Sequence, residues 1–315
     1  DNAEECVRRV LGVLTDGSYE YEMDSGAKIF VKVNVDKERR EAVIDFTGTS
    51  AQQNSNFNAP SSVCMAAVLY VFRLMVDDEI PLNAGCLKPL KVIIPEGCML
   101  APKYPAAVVA GNVETSQAVT NALIGALGIM AAGQGTMNNF TFGNNAGYQN
   151  YETICGGAGA GPDYDGTDAI HTHMTNTLNT PIEALERHFP VLIEEYALRR
   201  HSKVSTSNAY RGGRGIVRQY RFLVPTQVTI MSDRRTHTPY GLHGAPAGEQ
   251  GNNYLIKESE IIDAMRMIWE CMKIIVEPSS AIAFAAVLKD NDKFQNKKVG
   301  LIFSGGNVDI DDLPW

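Results

Sequence analysis

Lys28-Ile29-Phe30-Val31-Lys32-Val33-Asn34-Val35 and Glu41-Ala42-Val43-Ile44-Asp45-Phe46 largely alternate polar and apolar side chains around a charged turn at Asp36 to Arg40. Alternation with period 2 puts one set of side chains on a buried face, so the pair predicts an antiparallel hairpin. Outward from it, Val7, Val10, Leu11 and Leu14 recur at helical spacing before the stop Asp16-Gly17. Val63, Ala67, Tyr70 and Leu74 mark a helix over Ser61 to Val76. Leu90 to Ile94 and Ala107 to Ala110 read as short strands, with the turn Pro95-Glu96-Gly97 after the first. Thr115 to Ala132 reads as a small-residue helix packed closely on a neighbour.

From Gly133 to Thr180 the composition shifts to Gly, Asn, Thr and Asp, the mark of long surface or site-forming loops. A short helix from Pro181 to Arg187 then precedes strands at Val191 to Leu198, Gly215 to Leu223 and Thr226 to Met231, read as a second sheet. Gly241 to Gly251 is a loop. Beyond it, Ile261, Ile262, Met265, Ile268, Trp269, Met272 and Ile275 define an amphipathic helix over Glu258 to Ile275. A second helix, Ser279 to Leu288, has serine at the N-cap position, and Lys298 to Phe303 reads as a strand entering a Ser-Gly-Gly loop. The fold class expected is α+β: a β-rich mixed body with packed helices and long Gly/Asn-rich loops, followed by a short α/β segment.

A chain of 315 residues buries a sizeable core and suits two domains. Net charge is −8 with the basic residues dispersed, which argues against nucleic acid as a partner. No run approaches the roughly 20 apolar residues that span a bilayer, and the opening Asp1-Asn2-Ala3-Glu4-Glu5 is no basic and apolar leader, so a cytoplasmic location without membrane partners is expected. Six cysteines without a CxxC pair read as reduced, mostly buried thiols.

The sharpest chemical constellation is Tyr151-Glu152-Thr153, the glycine run Gly156 to Gly161, and His171-Thr172-His173. On an extended segment His171 and His173 would share a face and ligate a divalent metal or hold a carbonyl, with Asp163, Asp165 and Asp168 nearby in sequence. The alternative is that both histidines bond backbone in a glycine-rich bend. Glu114 and Glu152 are the candidate acid/base carboxylates, and a helix-terminal role is the alternative for Glu114. The glycine run is neither GxGxxG nor GxxxxGK[ST] and predicts no phosphate cradle. Asparagines such as Asn112 and Asn121 either recognise an amide or stabilise turns. Arg211, Arg214, Arg218 and the pair Arg234-Arg235 either meet an anion or are solvated.

Several motifs resemble the hydantoinase B/5-oxoprolinase family, in order from near Asp1 to about Ile256. They are Ile44-Asp45-Phe46-Thr47-Gly48-Thr49, Asn58-Ala59-Pro60, Ile80-Pro81-Leu82-Asn83-Ala84-Gly85-Cys86, Ala110-Gly111-Asn112-Val113-Glu114-Thr115-Ser116-Gln117, Gln134-Gly135-Thr136-Met137-Asn138-Asn139, Tyr151-Glu152-Thr153 and His171-Thr172-His173-Met174-Thr175-Asn176. The resemblance implies ATP-dependent opening of a cyclic amide. A hydantoinase A-like partner region binds ATP and Mg and phosphorylates the lactam oxygen, and the B-like part takes part in hydrolysis. It implies that the ATP site lies outside this chain, that the chain alone is inactive, and that it works in an oligomer. Within the motif region, His201 to Asn208 and Arg211-Gly212-Gly213-Arg214-Gly215 depart from the family's glycine-rich, acid-bearing loop, which puts that loop's geometry in doubt.

Residues 257–315 resemble a second family, the C-terminus of serine racemase and threonine dehydratase-type pyridoxal phosphate enzymes. The match rests on Met272 to Ala281 and Ser304-Gly305-Gly306-Asn307-Val308-Asp309. By that resemblance Ser304 would face the cofactor's pyridine nitrogen, with Gly305, Gly306 and Asn307 beside it. The Schiff-base lysine and phosphate loop such a site needs are not found, so pyridoxal phosphate is not expected to bind. The expected organisation is a partial hydantoinase B-like region over 1–256 joined near 256–260 to a tail over 257–315, by a gene fusion, a gene-model error or engineering. The tail would dock weakly on the body or drive association through exposed Ile and Met, and the alternative functions are a pyridoxal phosphate enzyme fragment and a noncatalytic remnant.

Overall fold

The computed structural model describes residues 2–145, 147–200, 210–303, 305, 306, 308, 309, 311, 313 and 315. The departures at His201 to Asn208 and the motif residues Ser304 and Asn307 lie outside the described residues. Two compact units emerge, residues 1–251 and 252–315.

The first unit opens with α1 (Asn2–Val13), which buries Ala3, Cys6, Val7 and Leu11. The predicted hairpin is present as β2 (Lys28–Asp36) and β3 (Glu41–Asp45), paired antiparallel with Asp36 opposite Glu41. A strand the sequence reading missed, β1 (Gly17–Glu22), pairs with β2, and β4 (Leu90–Ile93) adds in parallel to β3, giving the order β1-β2-β3-β4. β1 was hidden because Gly17-Ser18-Tyr19-Glu20-Tyr21-Glu22 buries only Tyr21 fully and so carries almost no hydrophobic signal.

Two helices cover this sheet's core: α2 (Ser61–Leu74) and α3 (Ser116–Leu127). Ile29, Val31, Val33, Ile44, Phe46, Phe72, Leu123 and Ile124 are fully buried in the resulting cluster. Full burial of each such side chain contributes about 1.5–3 kcal/mol, which makes this the dominant stabilising region. The close helix packing inferred from small residues is real: a Cβ on Gly17 would run into the Ala126 carbonyl. The expected strand at Ala107 to Ala110 is instead the entry to a helix. Residues Gly111–Thr115 form a single π-helical turn that leads directly into α3.

The loop expected over residues 133–180 contains two unpredicted strands, β5 (Asn139–Gly143) and β6 (Gln149–Thr153). After α4 (Ile182–His188) come β7 (Val191–Leu198), β8 (Ile216–Phe222) and β9 (Gln227–Met231). The expected single second sheet divides. β7 and β8 pair with each other, while β9 pairs with β5 to give the order β6-β5-β9. An aromatic cluster lies here, with Phe142 edge-on to Phe189 and Phe222 at 5.6 and 5.4 Å.

In the second unit, α5 (Glu258–Met267) runs into a π-turn at Ile268–Met272 and stops at Lys273, whose φ of 57° leaves the helical region. Met272 and Ile275, expected on its buried face, are therefore exposed. α6 (Pro278–Lys289) starts one residue before the predicted serine, with Pro278 at N1 and Glu277 as N-cap, a position where a missing N–H costs nothing. A short α7 (Asn291–Phe294) follows. Residues 298–303 carry no strand. Ala264, Met265, Ile268, Val276, Ala281 and Ala285 form this unit's own small core. Among the described residues no helix is long and apolar enough to cross a membrane, and the six cysteines are free thiols.

Candidate active site

The continuous helix formed by the π-turn and α3 turns an unusual face inward. Glu114, Gln117 and Asn121, spaced three and four residues apart, share one side and are 0–1% exposed. Each leaves one polar atom without a hydrogen-bond partner: Glu114 Oε2, Gln117 Oε1 and Asn121 Nδ2. Their other atoms are engaged. Glu114 Oε1 accepts from Asn139 Nδ2 at 2.7 Å and from the Met137 amide at 3.2 Å. Gln117 Nε2 donates to the Thr172 carbonyl at 3.0 Å, and Asn121 Oδ1 accepts from the Gly133 amide at 3.3 Å. Burying such groups half-satisfied costs on the order of 1–3 kcal/mol each, and π-turns recur at functional sites.

Around this stripe runs the strap Gly133-Gln134-Gly135-Thr136. Gly135 has φ of 75°, and a Cβ there would collide with the Tyr21 hydroxyl and stand 3.2 Å from both Asn121 Nδ2 and Arg234 Cγ. The backbone leaves the common region at Asn138, His173 and Arg234 as well, with φ of 48°, 59° and 63°. Left-handed non-glycine residues each store strain, and such residues concentrate at working sites. Arg234 lies 4.2 Å above the Tyr21 ring and pairs with Asp233 at 3.2 Å. Asp233 Oδ1 accepts from the Asp24 amide at 2.8 Å, tying the ends of β1 and β9 together.

Burial pushes the Glu114 carboxyl up to about 8; the neighbouring Thr136 hydroxyl works against that rise, Asp233 adds to it, and the Met137 amide and Arg235 oppose it. Burial likewise raises Asp233. Burial also works to raise Asp24, but the amides of Arg235, His237 and Thr236 together hold it below its ordinary value. A carboxyl protonated near neutrality with one bare oxygen is equipped to give a proton to a reacting atom.

Glu152 is placed differently. It sits on β6, and Tyr220 donates to its Oε2 at 2.6 Å and the Thr180 amide to its Oε1 at 2.7 Å. Arg218 approaches Oε2 at 3.2 Å, with both side chains almost wholly buried. Its oxygens are occupied. The two histidines do not share a face: residue 173 lies in a turn, and the extended segment assumed for them does not form. His171 Nδ1 lies 3.4 Å from Thr153 Oγ1, beside a pocket of about 250 Å³, while His173 Nδ1 lies 3.3 Å from Tyr70 Oη. Burial lowers His171 and drops His173 to about 4, leaving both neutral near pH 7. Among the described residues no three His, Cys, Asp or Glu side chains gather to hold a metal.

Arg214 finds its anion within the chain. Its Nε and Nη2 meet Asp168 Oδ2 at 2.8 and 2.6 Å, and that ion pair holds Asp168 down at about 2. The glycine loop of the second unit is filled by its own chain: a Cβ on Gly305 would stand 2.6 Å from Glu277 Oε1, and Gly305 O accepts from Ser280 Oγ at 3.1 Å. Tyr21 and Asp233 escaped the sequence reading. Tyr21 is signalled only by alternation with Tyr19, and nothing local marks Asp233.

The fold of this chain is shared with a solved ATP-dependent caprolactamase from Pseudomonas jessenii, at a TM-score of 0.56 and 22% identity over 70% of this chain and 41% of that one. The Hydantoinase B/oxoprolinase family model matches residues 1–288, and the chain belongs to that family. It is 46% identical to 5-oxoprolinase 1 of Arabidopsis thaliana over 76% of this chain and 19% of that protein. It is 43% identical to 5-oxoprolinase of Dictyostelium discoideum over 75% and 18%. The chain thus spans about a fifth of the length of these curated relatives.

Proposed function

We propose that this chain supplies the ring-opening part of an ATP-dependent cyclic amidohydrolase of the 5-oxoprolinase type, converting 5-oxo-L-proline, ATP and water to L-glutamate, ADP and phosphate. The observation that carries the reading is the bare, fully buried Glu114 Oε2. Similarity to two 5-oxoprolinases and a fold shared with a caprolactamase support the substrate class. ATP and Mg belong to a hydantoinase A-like partner region and supply phosphorylation of the lactam oxygen.

Glu114 then acts as the general acid. One water adds to the phosphorylated carbon, giving up a proton as Glu114 protonates the ring nitrogen; the ring C–N bond then breaks to leave an acyl phosphate, and a second water displaces phosphate from that carbon to complete the carboxylate of glutamate. His173, neutral and shielded, orders the Thr172 to His173 turn against Tyr70. Glu152 holds β6 to β8 and positions the loop at Thr180. In this reading the chain alone is inactive, works in the cytoplasm and assembles with its partner into an oligomer. Residues 257–315 keep their resemblance to the C-terminus of serine racemase-type enzymes. The coverage of the two named relatives, 76% and 75% of the chain, is compatible with a tail of other ancestry, although the family model itself runs to residue 288.

The test is reconstitution with the hydantoinase A-like partner, ATP, Mg and 5-oxo-L-proline, following glutamate. Glutamate release that disappears in Glu114→Gln supports the reading. No glutamate above background from the complete mixture overturns it.

A further inference from the structure

The atoms left bare around the Gly133–Gly135 strap are of both kinds. Tyr21 Oη, Asn121 Nδ2 and Arg234 Nε are donors, and Gln117 Oε1 and Gln134 Oε1 are acceptors. All five residues are more than nine-tenths buried. Tyr21 and Asn121 are close enough to influence each other, yet neither atom reaches a partner in good hydrogen-bond geometry. Gly135 brings the donors together, since the space a Cβ would fill there is bounded by the Tyr21 hydroxyl, Asn121 Nδ2 and the Arg234 side chain. Gln117 lies one turn before Asn121 on the same helix face, and its unpartnered acceptor is buried there.

Charge argues for a neutral group at the strap itself, because Arg234 is already paired with Asp233. A neighbouring pocket of about 210 Å³ is lined by Tyr21 and Arg234 together with Glu20 and Glu22, and Glu20 is itself paired with Lys28 at 2.7 Å. At the strap an amide presents one carbonyl acceptor and one N–H donor, the complement of the bare atoms.

We propose that this strap is the recognition site for the amide group of the cyclic substrate. In the ring before phosphorylation, the lactam carbonyl oxygen accepts from Tyr21 Oη and Asn121 Nδ2 and the ring N–H donates to Gln117 Oε1, contacts given up once the oxygen is phosphorylated and the N–H is lost. The inference rests on the function proposed above and adds to it the feature selected: the lactam amide, not the ring's carboxylate. A site built to bond a carbonyl rejects an analogue lacking it, because its buried donors are then left unpaired.

The experiment is calorimetric titration of the full chain with 5-oxo-L-proline, with 2-pyrrolidinone, which is the same lactam without carboxylate, and with L-proline, which has the ring and carboxylate but no lactam carbonyl. The two lactams bind and L-proline does not. Tyr21→Phe weakens both lactams about tenfold or more, and Asn121→Leu does the same, in variants whose thermal unfolding shows them folded. Binding of L-proline on a par with 5-oxo-L-proline overturns the proposal, as does the absence of lactam binding. Unchanged lactam affinity in folded Tyr21→Phe also overturns it, and assigns the bare atoms to an ordered water only. The two readings fail separately. Glutamate release that depends on Glu114 but not on Tyr21 or Asn121 removes only the recognition site. Tyr21-dependent lactam binding with full activity in Glu114→Gln removes only the acid.

Discussion

Two buried carboxylates, one at the helix end of the first unit and one in its aromatic sheet region, have opposite surroundings. Glu114 keeps one oxygen bare beneath a strained strap, while Glu152 is held by the Tyr220 hydroxyl, the Thr180 amide and the Arg218 guanidinium. Both are acidic residues in glycine- and asparagine-rich sequence, and local pattern treats them alike. The difference lies in what the fold brings to them. A saturated carboxylate has no capacity left for a substrate and serves to join strands. An unsaturated one carries a cost in stability that a bound ligand, an ordered water or a reaction relieves.

The contrast breaks most visibly in activity. Glu114→Gln in the reconstituted assembly proposed above should lower glutamate formation by about 10²–10⁴-fold, the range for loss of a general acid, while the urea midpoint of the chain at neutral pH does not fall. Glu152→Ala should do the reverse to the fold. Leaving Arg218 buried without its partner costs about 3–5 kcal/mol, read as a lower urea midpoint. If the two variants lose the same stability, the distinction between a working and a joining carboxylate fails.

How much of this was legible in sequence follows from the range of each signal. The β2–β3 hairpin, α1 and α2 were readable because alternation and helical spacing are local and their apolar faces lie in the main core. β5 and β6 were not, because Asn139-Phe140-Thr141-Phe142-Gly143 and Gln149-Asn150-Tyr151-Glu152-Thr153 owe their strand form to partners such as β9, with Asn139 opposite Met231. The same limit applies to the site. Glu114 and the two histidines stood out as residue types. The neighbourhood of Glu114 with Asp233 and the turn that separates His171 from His173 are tertiary facts. Arg214 was read as able to meet an anion, but that its anion is Asp168 follows from chain placement alone.

A smaller effect sharpens the comparison through pH. The folded chain holds the Glu114 proton up to about pH 8, whereas the ordinary value is 4.5, so between these values the folded state binds more protons than the unfolded one. The stabilisation this gives is complete below about 4.5 and fades as pH rises toward 8. His173 works in the opposite sense: held neutral down to about 4 against an ordinary 6.5, it adds stability above 6.5 that is lost as pH falls. Between pH 6.5 and 8 the His173 contribution is level and the Glu114 slope remains. Urea midpoints should therefore decline across that window in the wild-type chain and decline less in Glu114→Gln. A parallel decline in both would mean that Glu114 is not the source of the slope.

The smallest effect belongs to a third carboxylate, Asp168, which is paired like Glu152 but reached by solvent, with 21% of its side chain exposed against 31% for Arg214. Its contact is bidentate from one guanidinium, with a further bond from the Arg214 amide at 2.6 Å, and the ion pair explains why its carboxyl stays ionised to about pH 2. Water screens the charges, so the exchange of ion pair for hydration nearly balances, and Asp168→Asn should cost no more than about 1 kcal/mol. Because the folded value lies below the ordinary 3.8, that contribution is present at neutral pH and disappears only as pH falls below about 4. The variant and wild type should therefore converge in stability in acid, at about pH 2. Persistence of the full difference there would mean that the Asp168 side chain acts through packing, and that pairing alone, without burial, does not set what a carboxylate contributes in this fold.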